Sequence, residues 1–530
     1  MDLLSRRRAI AGIAAAAFGP TLATTLATSL ATWPLRAALA ADAAIKLGPA
    51  QPFDFQHLVA QAKALAGHSY QPPVIRHADI LDRIDYDAAQ QIRFRADRAL
   101  WPAGSGAPFP VELFHPGKFS KAPVRIYQVT GPTAREVLYS TALFDFGTAE
   151  FARRLPDDIG FAGFRLMHPG ADTDFLSFLG TSYFRSAGEL NQYGLSARGI
   201  AVNTGTAHEE FPRFTSFWIA EPTAPGGDTL VHALLDGPSL TGAFRIAVSN
   251  DKQPVLTIES VLFIRREIQR LGVAPLTSMF WYGKHNRLQG IDWRPEIHDS
   301  DGLALATGAG ERIWRPLNDP ATMRLSAFVD KDPRGFGLLQ RERDFQRYQD
   351  DAVFYNKRPS VWIEPLSSWG EGSVQLVELP TTDETNDNIV AFWVPKGPVK
   401  PGTELRFAYR QYWLADEPHP PEAARVVATR MGIGGVPGRP RPAATRKFVV
   451  DFVGAPLDPL TRLDGVEPVV TASRGKIINP YALPVVGTKM WRVTFDLAID
   501  GIEPIDLRCY LRHEGAALTE TWLYQFLPTG

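Results

Sequence analysis

One cysteine, Cys509, in 530 residues excludes an intrachain disulfide framework and any Cys-x-x-Cys redox or metal motif. It stands in the alternating run Asp506-Leu507-Arg508-Cys509-Tyr510-Leu511, the setting of a buried strand cysteine rather than a nucleophile. Charge of one sign is also lacking. A formal net charge of −1 leaves no basic footprint, so no nucleic-acid partner is expected. Beyond the N-terminus there is no run of the roughly 20 apolar residues a membrane-spanning helix needs. A phosphate-cradling glycine loop, a Gly-x-Gly-x-x-Gly after a strand, His-Glu-x-x-His and Gly-x-Ser-x-Gly are all missing, which leaves nucleotide chemistry, zincin chemistry and serine hydrolysis without support. The histidines, among them His115, His168, His208, His232, His285 and His298, are scattered without ligand spacing. No metal or cofactor is expected.

The N-terminus reads as an address. Ser5-Arg6-Arg7-Arg8 precedes a mild Ala/Thr-rich apolar run, and Ala38-Leu39-Ala40 offers a small-residue cleavage site. Consecutive arginines before such a run indicate a twin-arginine leader over 1–40, exported folded to the periplasm. The 44 glycines and 43 prolines favour many turns over long helices. Strands are predicted at 175–179, 214–219, 229–235 and 242–246, where apolar, aromatic and β-branched residues interleave with small or polar ones. The clearest helix is 55–65, and a shorter one is predicted over 341–351. A Pro/Gly-rich stretch interrupts the pattern at 415–445, and alternating runs restart at Lys447. These features predict an all-β chain: a large β domain over 41–414, a linker over 415–445, and a small immunoglobulin-like sandwich over 446–530.

The segment 358–395 is the richest in chemistry. Trp362, Trp369 and Trp393 are interspersed with six acids, and Asp383-Glu384-Thr385-Asn386-Asp387-Asn388 lies between two apolar strand-like runs. Flat rings stack on sugar C–H faces, and paired acids cut glycosidic bonds. The same composition also fits an ordinary β-turn. Other turn-like groups carry carboxylates near aromatics: Asn191 to Gly199 followed by Glu209-Glu210, Arg294-Pro295-Glu296-Ile297-His298-Asp299-Ser300-Asp301-Gly302, and Tyr355-Asn356-Lys357-Arg358-Pro359. Loops gathered at one end of a β scaffold form clefts, and acids from different loops can serve as acid and base.

Together, Tyr193 to Gly199, Glu210-Phe211-Pro212, Pro275 to Trp281, Arg294 to Leu303, Trp314-Arg315-Pro316-Leu317, Phe336 to Arg341 and Arg358 to Asn388 resemble the periplasmic glucan biosynthesis proteins G and D (OpgG/OpgD, also MdoG/MdoD). The resemblance spans the mature chain, and the twin-arginine leader points to the D branch. It implies a large mutarotase-like β-sandwich joined to an immunoglobulin-like domain. The implied role is shaping osmoregulated periplasmic glucans, which have a β-1,2-linked backbone, by inverting endo-hydrolysis. It further implies Asp387 as general acid and Asp299 as general base, with Asp301 the competitor for the base. Tyr355 and Arg358 resemble cleft residues that assist proton relay, with Glu384 as the neighbouring acid. Trp281, Trp362 and Trp369 are the candidate stacking faces. The rival is a non-catalytic glucan-binding or assembly factor working with a membrane glucan synthase.

Overall fold

Alternation of apolar and polar residues dominates the chain, and the backbone follows it into strands. The computed structural model describes residues 45–528 apart from 103, 104, 106 and 223–226, so the leader expected over 1–40 lies outside the described residues. Two large sheets build the first domain. One runs from Leu47–Pro52 through the hairpins of Arg213–Ala220, Thr229–Asp236, Leu240–Ser249 and Val255–Ile264 to Glu404–Leu414. It continues through Ser360–Pro365, Gly335–Leu339, Gly302–Ala306 and Arg312–Pro316. The other orders Arg324–Lys331, Glu371–Glu378, Ile389–Pro395, Leu271–Ser278 and Ser196–Arg198, then Tyr183–Ser186, Asp174–Leu179, Gly163–Met167 and Val111–Phe114.

The sheets close on one apolar core. Phe164 and Phe178 of the second sheet meet Phe217 of the first at ring centroid distances of 5.0 and 5.6 Å, both edge-on. Such edge-to-face pairs add about 0.5–1.5 kcal/mol each beyond the area they bury. The helix Phe55–Ala66 falls where the periodicity places it. Asp54 caps it by accepting the His57 N–H at 2.8 Å, and Leu58, Val59 and Ala62 pack on the outer face of the first sheet beside Tyr127 and Trp218. No helix among the described residues is long and apolar enough to cross a membrane.

The helix predicted over 341–351 does not form. That segment is irregular, with one short 3₁₀ turn at Phe345–Arg347. Its polar groups are engaged elsewhere: Asp344 accepts the Gln346 N–H, and Asp350 accepts those of Ala352 and Val353. Side-chain oxygens competing for backbone donors in this way favour turns over helix.

The stretch 415–445, expected as linker, is partly strand. Arg425–Ile433 pairs with Thr445–Val453 and opens the four-stranded sheet completed by Trp491–Ala498 and Lys476–Pro484. Alternating burial of Val426 and Ala428 explains it, and the glycines and prolines after Ile433 make the connection between the two strands. This sheet packs on Thr521–Phe526, Ile505–His513 and Glu467–Ala472, with Phe448, Phe495 and Trp522 at the centre. The small sandwich is not an appendage on a tether. Its strand Thr521–Phe526 runs parallel to Arg312–Pro316, pairing Ile313 with Thr521 and Trp314 with Trp522. The first large sheet therefore continues into the C-terminal domain.

Candidate active site

The turn His298 to Gly302 is strapped from three sides. The Asp299 N–H donates to the Met279 carbonyl at 2.8 Å, the Ser300 and Ser278 hydroxyls are bonded at 2.9 Å, and the Asp301 N–H donates to Leu339 at 2.9 Å. Gly302 has no room for a Cβ, which would run into the Trp314 ring. The His298 ring lies fully buried against Phe280 and bonds Gln340 at 2.8 Å on one nitrogen and Glu296 at 3.3 Å on the other. Gln340 also donates to the carbonyls of His298 and Tyr355 at 2.8 and 3.1 Å, tying this turn to the Tyr355 segment.

The two aspartates of the turn have separate surroundings. The Asp301 carboxylate accepts backbone N–H groups of Arg341 at 3.2 Å and Glu342 at 3.0 Å. It holds the end of the Gly335–Leu339 strand in place. The Asp299 carboxylate instead bonds the Arg358 guanidinium and lies within the field of Asp387. Burial pushes the Asp299 carboxyl up to about 6, the Arg358 charge pulls it down, and the Asp387 charge pushes it up again.

Asp387 comes from the second sheet, on the turn between Glu371–Glu378 and Ile389–Pro395. The turn is pinned at both ends. Asn388 exchanges bonds with Phe280, accepting its N–H at 2.9 Å and donating to its carbonyl at 2.9 Å, and also donates to Leu379 at 3.0 Å. At the other end the Thr381 N–H donates to Asp319 at 2.9 Å. Asp383 knots the middle, accepting the Thr385 N–H at 2.8 Å and its hydroxyl at 2.5 Å. Asp383 is thus structural, while Asp387 stays partly exposed beside the buried Asp299.

Tyr355 and Arg358 complete the floor. Tyr355 is buried, donates its hydroxyl to Glu384 at 2.5 Å, and lies under the Arg358 guanidinium at 4.2 Å from the ring centroid. Burial pushes its hydroxyl well above the ordinary range, so it stays a proton donor. Glu384 also pairs with Arg294 at 2.8 Å, and Arg294 holds Asp350 at 2.7 Å and Asp292 at 2.9 Å. The structure therefore brings together Asp299, Asp387, Tyr355, Arg358 and Glu384, from turns far apart in sequence.

Two of the three candidate stacking faces are not available. Trp362 is 2% exposed and Trp369 is 6% exposed, both inside apolar cores. Trp393 is likewise fully buried. Trp362 and Trp393 point inward from strands, Trp369 does so from the connection between Ser360–Pro365 and Glu371–Glu378, and their rings fill the interior. Trp281 is partly exposed, with its ring edge-on to Tyr282 at 5.3 Å in the cluster that includes Tyr348 and Tyr355. The Glu209-Glu210 group also turns out to be scaffold: Glu209 pairs with Arg198, and Glu210 accepts the Ser239 hydroxyl at 2.6 Å. From its neighbourhood Gly194 reaches the site, giving the Arg358 side chain room that a Cβ would close.

Arg294, Gln340, Asn388 and Asp319 support the site and were not singled out from the sequence. Three of them sit inside or beside motifs that were, but nothing in a linear pattern marks which polar residue bonds across sheets. The description "Periplasmic glucan biosynthesis protein, MdoG" matches residues 53–526. The chain belongs to this family. It is 49% identical over 517 residues to glucans biosynthesis protein D 2 of Ralstonia nicotianae, covering 95% of this chain and 96% of that one. Identity to glucans biosynthesis protein D is 48% for Xylella fastidiosa, over 91% of each chain. For that of Stenotrophomonas maltophilia it is 47%, over 98% of this chain and 96% of the relative. A solved galactose mutarotase related enzyme from Lactobacillus acidophilus overlaps 48% of this chain and 91% of that one, at a TM-score of 0.21 and 10% identity, too weak a likeness to add to the strand topology. The family name places its members in the periplasm, in glucan biosynthesis.

Proposed function

We propose that this protein trims the backbone of osmoregulated periplasmic glucans by inverting endo-hydrolysis of β-1,2-glucan, after export by the twin-arginine route. The observation that carries this reading is the meeting of two carboxylates from different sheets, Asp299 buried against the Arg358 guanidinium and Asp387 partly exposed, close enough for the charge on one to disfavour ionisation of the other, so that one can hold a proton while the other accepts one. Asp387 gives its proton to the glycosidic oxygen as the C–O bond breaks. A water attacks the anomeric carbon from the opposite face and loses its proton to Asp299, directly or through intervening hydroxyls. Asp299 suits the base role better than Asp301, whose oxygens are committed to the Arg341 and Glu342 N–H groups. Arg358 favours the ionised form of Asp299, while the Tyr355 hydroxyl and Arg294 hold Glu384 beside the acid's turn. Trp281 supplies a ring for a sugar face.

One observation favours a second reading. The ion pair of Arg358 with Asp299 is also what a purely structural carboxylate would make, as expected of a glucan-binding factor that works with a membrane glucan synthase. Incubating the purified protein with linear β-1,2-glucan separates the two. New reducing ends support hydrolysis, and binding without new ends supports the assembly factor.

A further inference from the structure

The small C-terminal sandwich reaches both carboxylate turns through its last strand. The first route starts at Glu520, the residue before Thr521–Phe526. Its carboxylate accepts the Arg341 guanidinium at 2.6 and 3.2 Å and the Val426 N–H at 2.7 Å. Arg341 lies over the Trp314 ring at 3.8 Å, and its own backbone N–H, with that of Glu342, holds the Asp301 carboxylate. Asp301 is two residues from Asp299. The ion pair is desolvated: the side chains of Arg341 and Glu520 are 7% and 1% exposed.

The second route starts at Tyr524. Its hydroxyl donates to the Asn318 side chain at 2.8 Å, and Asn318 donates back to the Gln525 carbonyl at 3.1 Å. The Asn318 N–H is held by Glu378 at 2.7 Å, and the next residue, Asp319, accepts the Thr381 N–H at the head of the turn that carries Asp387. One strand is thus bonded toward both halves of the pair, from behind the site.

We propose that Glu520 and Tyr524 are positioning residues, and that the C-terminal sandwich works as the back wall that fixes the spacing of the Asp299 and Asp387 turns rather than as a separate binding module. This rests on the hydrolytic reading for its catalytic consequence, though not for the positioning itself. Displacing a reacting group by about 1 Å costs up to roughly 100-fold in rate, so loosening either turn acts on kcat.

The test uses the full chain carrying Glu520→Gln or Tyr524→Phe, with the exposed Lys489→Ala as control. Backbone hydrogen exchange and reducing-end release from β-1,2-glucan are followed side by side. The expected result is faster exchange at 298–303 and at the Val426, Arg341 and Glu342 amides along the route in Glu520→Gln, and at 379–388 in Tyr524→Phe, with kcat down about tenfold and KM held. Exchange at both turns equal to wild type, or a rise spread evenly over the C-terminal sandwich, overturns the proposal. Should the wild type release no reducing ends, the hydrolytic reading falls and the exchange pattern alone decides the positioning.

Discussion

The turns bearing Asp299 and Asp387 are built in opposite ways. The first is sunk between three strands, with His298 and Ser300 fully buried and Asp299 4% exposed. The second stands at the surface, pinned by Asn388 and Thr381 at its ends and knotted by Asp383 in the middle. In the proposed mechanism, depth separates the two jobs. A buried carboxylate loses hydration and gains proton affinity, which suits a base working near neutral pH. A partly exposed carboxyl such as Asp387 stays within reach of a glycosidic oxygen arriving from solution. Within the buried turn the contrast repeats at shorter range: Asp301 is spent on backbone donors while Asp299 bonds the Arg358 guanidinium within the field of Asp387.

The sharpest way to break this comparison is to remove each acid. Asp387→Asn and Asp299→Asn are each expected to lower reducing-end release on the order of 100- to 10,000-fold, while glucan binding persists. Asp301→Ala is expected to act on stability instead. It leaves two partly buried N–H groups without their acceptor, at a cost of up to roughly 1–3 kcal/mol each, read as a lower denaturation midpoint.

Next in size is the difference between buried and exposed rings. Trp369→Ala is expected to cost about 3–5 kcal/mol of stability, measured by denaturant unfolding, because its ring packs edge-on to Phe407 and Tyr409 in the main core. Trp281→Ala should leave the midpoint near wild type and raise KM for glucan, the signature of a lost sugar face.

The pH profile sharpens the account of Asp299. A base must be ionised to accept a proton, so hydrolysis is expected to fall as pH drops through about 6. Arg358 lowers that value, so Arg358→Gln should move the limb to higher pH by about one unit or more. The stability sign is opposite to that of an ordinary paired carboxylate. Because folding raises the Asp299 value from 3.8 to about 6, the folded state binds the proton more tightly, and its contribution to stability declines as pH rises across that window. The smallest effect is that of Trp281→Ala, about 0.5–1.5 kcal/mol of stacking, read as a KM shift of several-fold.

Much of this was legible in the sequence. Strand alternation is enough for the all-β class and the restart of strands at Lys447, and the helical pattern at 55–65 for the one long helix. The motifs gave both turns and the residues Tyr355 and Arg358. Besides the absence of the helix expected over 341–351, other features were not legible. Tryptophans beside acids suggested a sugar platform, but the fold turns Trp362 and Trp393 inward from strands and Trp369 inward from a connection, and composition carries no face. Asp299 and Asp301 share one turn, and the groups the fold brings against them tell them apart: Arg358 on Asp299, the Arg341 and Glu342 N–H groups on Asp301. The Arg425–Ile433 strand hid inside a proline-rich stretch because the turn residues that follow it dominate the local composition.

The most direct test of the central claim is proton NMR of the first products released from linear β-1,2-glucan, followed before mutarotation. The account predicts new reducing ends that appear first as the α-anomer, absent in both Asp387→Asn and Asp299→Asn. A β-anomer first, or tight glucan binding with no new ends, would contradict it.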